Sequence, residues 1–362
     1  MNTREQLKAQ EIHISNLEKG MIIHREILND AGVVLVPRGF VIRNLERFKD
    51  SLLTHDIHTV MAKPPEEKPE EEESHHALKV KEFIESFDEK RKDLKNEFEK
   101  IIRGDDVQEE DLYYKIEETL EVFEEDLNVF QLIQKIKDLD DITYAHAHNV
   151  TLIAHSIGRW LELEAEDLKN LSLAALLIDI GKIQIPQSLL NKKGELTKEE
   201  WQQLQGHAIL SYELIKDYDF IDPSIKKAVL LHHEKIDGSG YPMGISGDEI
   251  PLFAKIIAIA DIYSALTSKR PYRSKRTPFE AIKILETQYI GKVDTNILYL
   301  FLNRIGDYFI GQRVRLNTGE SGEIVFIPKR NTYRPIIKLD NETALLDLSS
   351  PQNENIEINE FV

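Results

Sequence analysis

The chain has 362 residues, 41% of them hydrophobic, which is enough for two or three packed domains. Its 46 Lys and Arg against 64 Asp and Glu give a formal charge of -18, which disfavours DNA and anionic membranes as partners and makes any anionic ligand depend on a local basic patch. Zero cysteines exclude disulfides, thiolate metal sites and cysteine nucleophiles, so any metal must be held by the 12 histidines and by carboxylates. No apolar run reaches the ~18 residues of a membrane helix and the start, MNTREQLKAQ, lacks a signal-peptide core, so a soluble cytoplasmic protein without membrane insertion is expected.

The predicted architecture is mainly α: a helical bundle with a small N-terminal α+β module and a small C-terminal β domain. Residues 1–62 form the α+β module, with the strand-like run Val33 to Val36 after the turn signal Asn29-Asp30-Ala31-Gly32 and then a helix bearing Ile42, Leu45, Phe48 and Leu52. Residues 63–76, KPPEEKPEEEESHH, combine proline with acidic charge and predict an extended, self-repelling linker; His75 and His76 within it read as a solvated pair. Residues 77–138 predict two charged amphipathic helices parted at Gly104-Asp105-Asp106, with Val80, Phe83, Ile84, Phe87, Leu94, Phe98 and Ile101 as the apolar stripe. Such a hairpin packs on the next domain or on a second subunit or signalling partner. Residues 139–305 are predicted helical, interrupted by KKGEL and DGSGYPMGISGDEIP, and residues 306–362 turn to short alternating runs separated by NTGESG and IPKRNTYRP, a small β domain.

The chemistry concentrates in the helical segment. His146, Asp179, His207, His232, His233 and Asp261 each stand in an apolar or glycine-rich context, Asp179 after LAALLI and Asp261 after AKIIAIA. A carboxylate on so apolar a helix is expensive unless a cation or donor meets it, and two such aspartates with a His-His pair point to a shared ion. Imidazole and carboxylate donors suit Fe, Mn or a similar divalent transition ion, and a carboxylate can bridge two of them. Between the candidate ligands, HHEKIDGSGYP surrounds Tyr241 with turn formers, so backbone can approach a ligand closely. After Asp261, SKRPYRSKR gathers five basic residues in an acidic chain, and cations there would grip phosphate oxygens.

The motifs TYAHAHNV (143–150), AALLIDIGKIQIP (174–186), GHAILSYELI (206–215), HHEKIDGSGYP (232–242) and ADIYSALTSKRPYR (260–273) follow one another as in a known family. On these motifs residues 141–291 resemble the HD-GYP family, bacterial phosphodiesterases of cyclic di-GMP within the HD superfamily of metal-dependent phosphohydrolases. The resemblance implies that His146, Asp179, His207, His232, His233 and Asp261 are metal ligands, with Asp179 bridging and one or two divalent ions per chain. It further implies that Lys182 assists catalysis beside Asp179, and that Lys182, Gly240, Tyr241, Pro242, Arg270 and Arg273 meet the substrate. The implied reaction is attack of a metal-activated hydroxide on a cyclic di-GMP phosphodiester, giving pGpG and then GMP. His148 and His155 have no counterpart and lie about 200° and about 180° around the helix from His146.

Two positions depart from the pattern. Where the family has His-Asp this chain has Ile178-Asp179, which removes one imidazole from the position shared by His146, Asp179 and Asp261 and leaves the position of Asp179, His207, His232 and His233 intact. Ile142 stands where some members carry a glutamate for a third ion. The primary reading is a phosphodiesterase weakened at one metal position. The rival is a degenerate module that binds cyclic di-GMP or another protein and passes occupancy onward. An HD phosphohydrolase for other nucleotides is disfavoured by the intact GYP segment and arginines.

Overall fold

The computed structural model describes residues 10–18, 20–28, 34–36, 40, 42, 45–54, 57–63, 70–124, 128–135, 142–192, 194–268, 276–340 and 345–362. The chain divides into two units, Met1–Leu78 and Lys79–Val362. In the first, short apolar runs form strands β1 (Gln10–His13), β2 (Ile22–Ile23), β3 (Ile27–Leu28) and β4 (Val34–Val36), then helix α1 (Leu45–Thr54) and strand β5 (Thr59–Lys63). β5 is the middle strand of an antiparallel β1-β5-β2 sheet, and β3 pairs with β4. Ile42, Phe48 and Leu52 are buried with Ile23 and Val60, as their spacing requires for a helix laid on a sheet. The turn signal at 29–32 lies outside the described residues.

The linker expected over residues 63–76 is not extended throughout, because helix α2 (Glu70–Arg103) already covers its acidic half. All three prolines of the segment precede Glu70, and a run of glutamates in a first turn complements the positive end of the helix dipole instead of opposing the helix. α2 ends at Gly104, whose φ of 72° is the left-handed conformation that closes a helix, and α3 (Glu109–Glu124) follows. The apolar stripe of the pair is spent inside the unit: Phe83, Phe87, Leu94, Phe98 and Ile101 of α2 and Leu112 and Ile116 of α3 are buried in the same core as the helices that follow.

Those helices are α4 (Val129–Lys135), α5 (Ile142–Trp160), α6 (Ala165–Leu177), α7 (Gln187–Leu190), α8 (Lys198–Gln205), α9 (His207–Ile215), α10 (Pro223–Leu231), α11 (Leu252–Thr267), α12 (Pro278–Gln288) and α13 (Thr295–Asp307). Their starts are written in the sequence. Thr197 with Glu200 and Thr277 with Glu280 form capping boxes, and Asp222 caps α10 with Pro223 in its first turn. α5 is the hub, packed against α3, α4, α6, α11 and α13. The chain then forms an antiparallel five-stranded sheet in the order β10-β6-β7-β8-β9, from β6 (Arg313–Leu316), β7 (Ser321–Phe326), β8 (Ile336–Leu339), β9 (Leu345–Asp347) and β10 (Ile358–Phe361). Val314, Ile324 and Ile337 extend the bundle core into this sheet. The fold is thus mainly α, with a small α+β unit before the bundle and a small sheet after it. No helix among the described residues is long and apolar enough to cross a membrane.

α5 carries three histidines with different surroundings. His148 meets Thr119 Oγ1 of α3 at 2.9 Å, and His155 meets Ser172 Oγ of α6 at 3.0 Å with its ring 4.6 Å from that of Phe123. Both are structural, as their displacement around the helix from His146 predicts. Burial, then Arg159, lowers the His155 pKa from 6.5 to about 4. The unfolded chain therefore takes up a proton at His155 that the fold refuses, so this stabilisation is present above pH 6.5 and is lost as pH falls toward 4. Replacing His155 by Phe should remove roughly 3 kcal/mol of the acid-induced loss of stability between those limits, measured by urea unfolding at stepped pH.

Candidate metal centre

Five segments of the bundle bring their polar residues to one place. His146, in the second turn of α5, approaches Asp261 Oδ1 of α11 at 2.8 Å and Asp179 Oδ2 at 3.6 Å through Nε2. One turn after Asp261, Ser264 Oγ lies 2.9 Å from the other ring nitrogen, Nδ1. The carboxylate only accepts, so Nε2–H donates to Asp261 here; an ion taking Nε2 would need the proton on Nδ1, where Ser264 Oγ can accept it.

Asp179 follows the C-terminus of α6, fully buried, with Lys182 Nζ 2.6 Å from Oδ2 and His207 Nε2 3.5 Å from Oδ1. Burial pushes this carboxyl up, but Lys182, then His146 and His207, override it and hold it below the usual carboxylate range. Asp261 behaves likewise: burial raises it, and the hydrogen bond from His146 and the nearby His233 bring it well below the usual value. Both carboxylates are thus anionic in an apolar interior.

His207 opens α9 and His232 caps the end of α10. Each donates Nδ1–H to a carbonyl three residues earlier, His207 to Leu204 at 2.7 Å and His232 to Val229 at 2.8 Å. A carbonyl only accepts, so both rings are fixed as Nδ1–H tautomers with a bare Nε2 facing inward. His207 Nε2 lies 3.1 Å from His233 Nε2, and His232 Nε2 is buried with no hydrogen-bond partner. Burial lowers all three pKa values, that of His207 to about 4, so the rings are neutral at pH 7. Donor nitrogens of His207, His232 and His233 lie within 4.8 Å of one another. An orphaned buried nitrogen beside two more imidazoles and two carboxylates is the donor set of a divalent transition ion, and the residues fit one.

The Tyr241 ring stacks on His233 at 4.6 Å and 29° and stands edge-on to His207 at 6.4 Å. Burial, then Asp261 and Asp179, pushes its hydroxyl pKa far up, so it is a neutral wall of the site. Gly240 is required by space: a Cβ there would stand 2.4 Å from Glu234 Cα and Lys235 N. The Tyr241-Pro242 peptide is cis. Ile178 is fully buried in the apolar core. Arg270 and Arg273 lie outside the described residues, as does the side chain of Ile142. The structure therefore brings together His146, Asp179, Lys182, His207, His232, His233, Tyr241 and Asp261.

Three supporting residues were missed in the sequence. Ser264 was one. Ser211, one turn past His207 and fully buried, donates to Ile178 O at 2.7 Å and accepts from Gly181 N at 2.9 Å, so a single hydroxyl clips both sides of Asp179 to α9. Gly181 permits that approach, since a Cβ there would lie 2.5 Å from His207 O and Ser211 N. The buried i,i+4 placement of Ser211 after His207 was the available signal.

Residues 131–297 match the HD domain family. HD domains are metal-dependent phosphohydrolases, in accord with the donor set. Among curated proteins the chain is similar to cyclic di-GMP phosphodiesterase PA4108 of Pseudomonas aeruginosa, 32% identical over 59% of this chain and 51% of that one. It is similar to the cyclic di-GMP phosphodiesterase response regulator RpfG of Xanthomonas campestris, 39% identical over 44% of this chain and 42% of that one. It is also similar to the 3′3′-cGAMP-specific phosphodiesterase 3 of Vibrio cholerae, 36% identical over 42% of this chain and 33% of that one. The alignments thus span between 33% and 51% of these relatives.

The clip on Asp179 is testable without any assay of activity. Gly181→Ala forces backbone apart at the join of Asp179 to α9 and should lower stability by about 1–3 kcal/mol, with loss of bound metal. Melting temperature and metal analysis of the purified variant measure both.

Proposed function

We propose that the HD segment makes this chain a metal-dependent phosphodiesterase that hydrolyses cyclic di-GMP to pGpG and, on a second turnover, to GMP. The carrying observation is the buried Nε2 of His232, without a hydrogen-bond partner among the described residues, beside His207 and His233, a cost that an ion held between the rings would remove. The Pseudomonas relative, matched over 212 residues, is named for cyclic di-GMP, which supports that substrate over the cyclic GMP-AMP of the Vibrio relative's name.

In this reading His207, His232 and His233 hold one ion with Asp179, while His146, Asp179 and Asp261 hold a second. Fe or Mn suits these nitrogen and oxygen donors. When bound, the ions lower the pKa of water and offset charge on the phosphoryl oxygens. Lys182, anchored 2.6 Å from Asp179, brings a cation to the same carboxylate and is placed to stabilise developing negative charge or to supply a proton to the leaving ribose oxygen. Tyr241, uncharged, lines the base or ribose side, and Gly240 and Pro242 shape its loop. Arg270 and Arg273 would hold the phosphates with charge-assisted hydrogen bonds.

A second reading, a module that binds cyclic di-GMP or another protein without turnover, is favoured by Ile178. A fully buried aliphatic side chain stands where the family pattern has an imidazole, so the second ion loses a donor.

Metal analysis of the purified chain with a cyclic di-GMP turnover assay separates the two. The enzyme reading expects at least one ion per chain and pGpG as product, both lost in His232→Ala; less than one ion and no product establishes the binding module. The missing donor has its own test. Ile178→His should raise metal content and rate together, while its melting temperature recovers only on addition of metal, because an unliganded imidazole in that apolar position lacks a partner. Higher occupancy at an unchanged rate supports the binding module.

A further inference from the structure

Glu234 follows the His232-His233 pair and is only 3% exposed, and it makes no ion pair among the described residues. Its Oε1 accepts from the backbone N–H of Met243 at 2.6 Å and of Gly244 at 3.0 Å. Met243 is 65% exposed, so these amides belong to a segment at the surface. Water cannot fix where that segment sits. A buried carboxylate spent on two amides at the rim is a device for holding position, not for solvation.

The segment it holds is the one that carries Tyr241. Residues 240–244 fold back over 233–235: Gly240 packs on the Glu234 backbone, Tyr241 N donates to His233 O at 3.3 Å, and the Tyr241 ring lies on the His233 imidazole. The preceding turn is tied separately, Ser239 N and Oγ to Asp237 Oδ1 at 3.0 and 2.7 Å and Gly247 N to Ile236 O at 3.1 Å. The rings of His207 and His232 are oriented from their far sides by Leu204 and Val229 and owe nothing to Glu234.

We propose that Glu234 is a positioning residue that clamps the 240–244 segment and so sets where Tyr241 stands over the metal centre, governing capture of the cyclic dinucleotide without governing metal binding. The proposal rests on the phosphodiesterase reading for its kinetic consequence alone; the clamp itself is independent of it.

The test compares Glu234→Ala, which removes the acceptor, with Glu234→Gln, which keeps one oxygen for the same two amides. Removing two charge-assisted bonds should raise KM for cyclic di-GMP about 10-fold in the alanine variant, with kcat within about 3-fold and metal content equal to the parent. Hydrogen exchange at Met243 and Gly244 should be at least about 10-fold faster, and the glutamine variant should restore most of both effects. Unchanged exchange at the two amides in the folded alanine variant overturns the clamp, and loss of metal from a folded variant overturns its separation from metal binding. Should the parent bind cyclic di-GMP without turning it over, the phosphodiesterase reading fails while the exchange data and the Kd in place of KM still decide the clamp; a Kd unmoved by alanine overturns its role in capture.

Discussion

Three neutral imidazoles and two ionised carboxylates share one apolar interior, and much of the bundle's local structure serves to make that tolerable. An isolated buried carboxylate is held at a penalty of several kcal/mol, and a bare imidazole nitrogen without a partner costs a further hydrogen bond. The chain distributes the problem. Lys182 stands against Asp179, His146 against Asp261, and the carbonyls of Leu204 and Val229 take the protons of His207 and His232. What remains unmatched is the set of inward-facing nitrogens, and a divalent ion is the group of opposite character that completes it.

The same requirement explains where rigid and close contacts occur. Asp179 lies beyond the end of α6, at the start of a single 3-10 turn whose Lys182 N–H donates to its carbonyl at 2.9 Å, and Ser211 and Gly181 bind that join to α9 from both sides. Asp261 and Ser264 lie one turn apart on α11 and address the two nitrogens of one ring, so a single helical register sets both the ligand and its tautomer. On α5, His146 faces the centre while His148 faces the α2–α3 pair through Thr119 and Phe87. One helix thus joins the centre to the hairpin.

The clustering of these residues was legible because they are costly in their contexts: aspartate after LAALLI or AKIIAIA and adjacent histidines before a glycine-rich turn have few cheap explanations. The architecture was legible for a related reason, the change from helical to alternating apolar spacing near Gly311. Ser211, Ser264 and Glu234 were not, because a serine in a helix or an acid after a histidine carries no signature until its partner across the fold is known. The acidic half of the 63–76 segment was misread because its prolines and glutamates were weighed together, although only the prolines oppose a helix. Arg270 and Arg273 were read from the charge of their run and from the resemblance, and they fall in the stretch 269–275, outside the described residues.

The donors of the centre are far apart along the chain, His146 and Asp261 by 115 positions. An ion bound between them ties α5, α6, α9, α10 and α11 across those intervals, and an unfolded chain would have to give it up or bear the entropy of the closed loops. In a sequence with no cysteine, the ion then does the work of a cross-link, and one that chelation can undo. With such an ion bound, the stability of the bundle would follow free metal concentration.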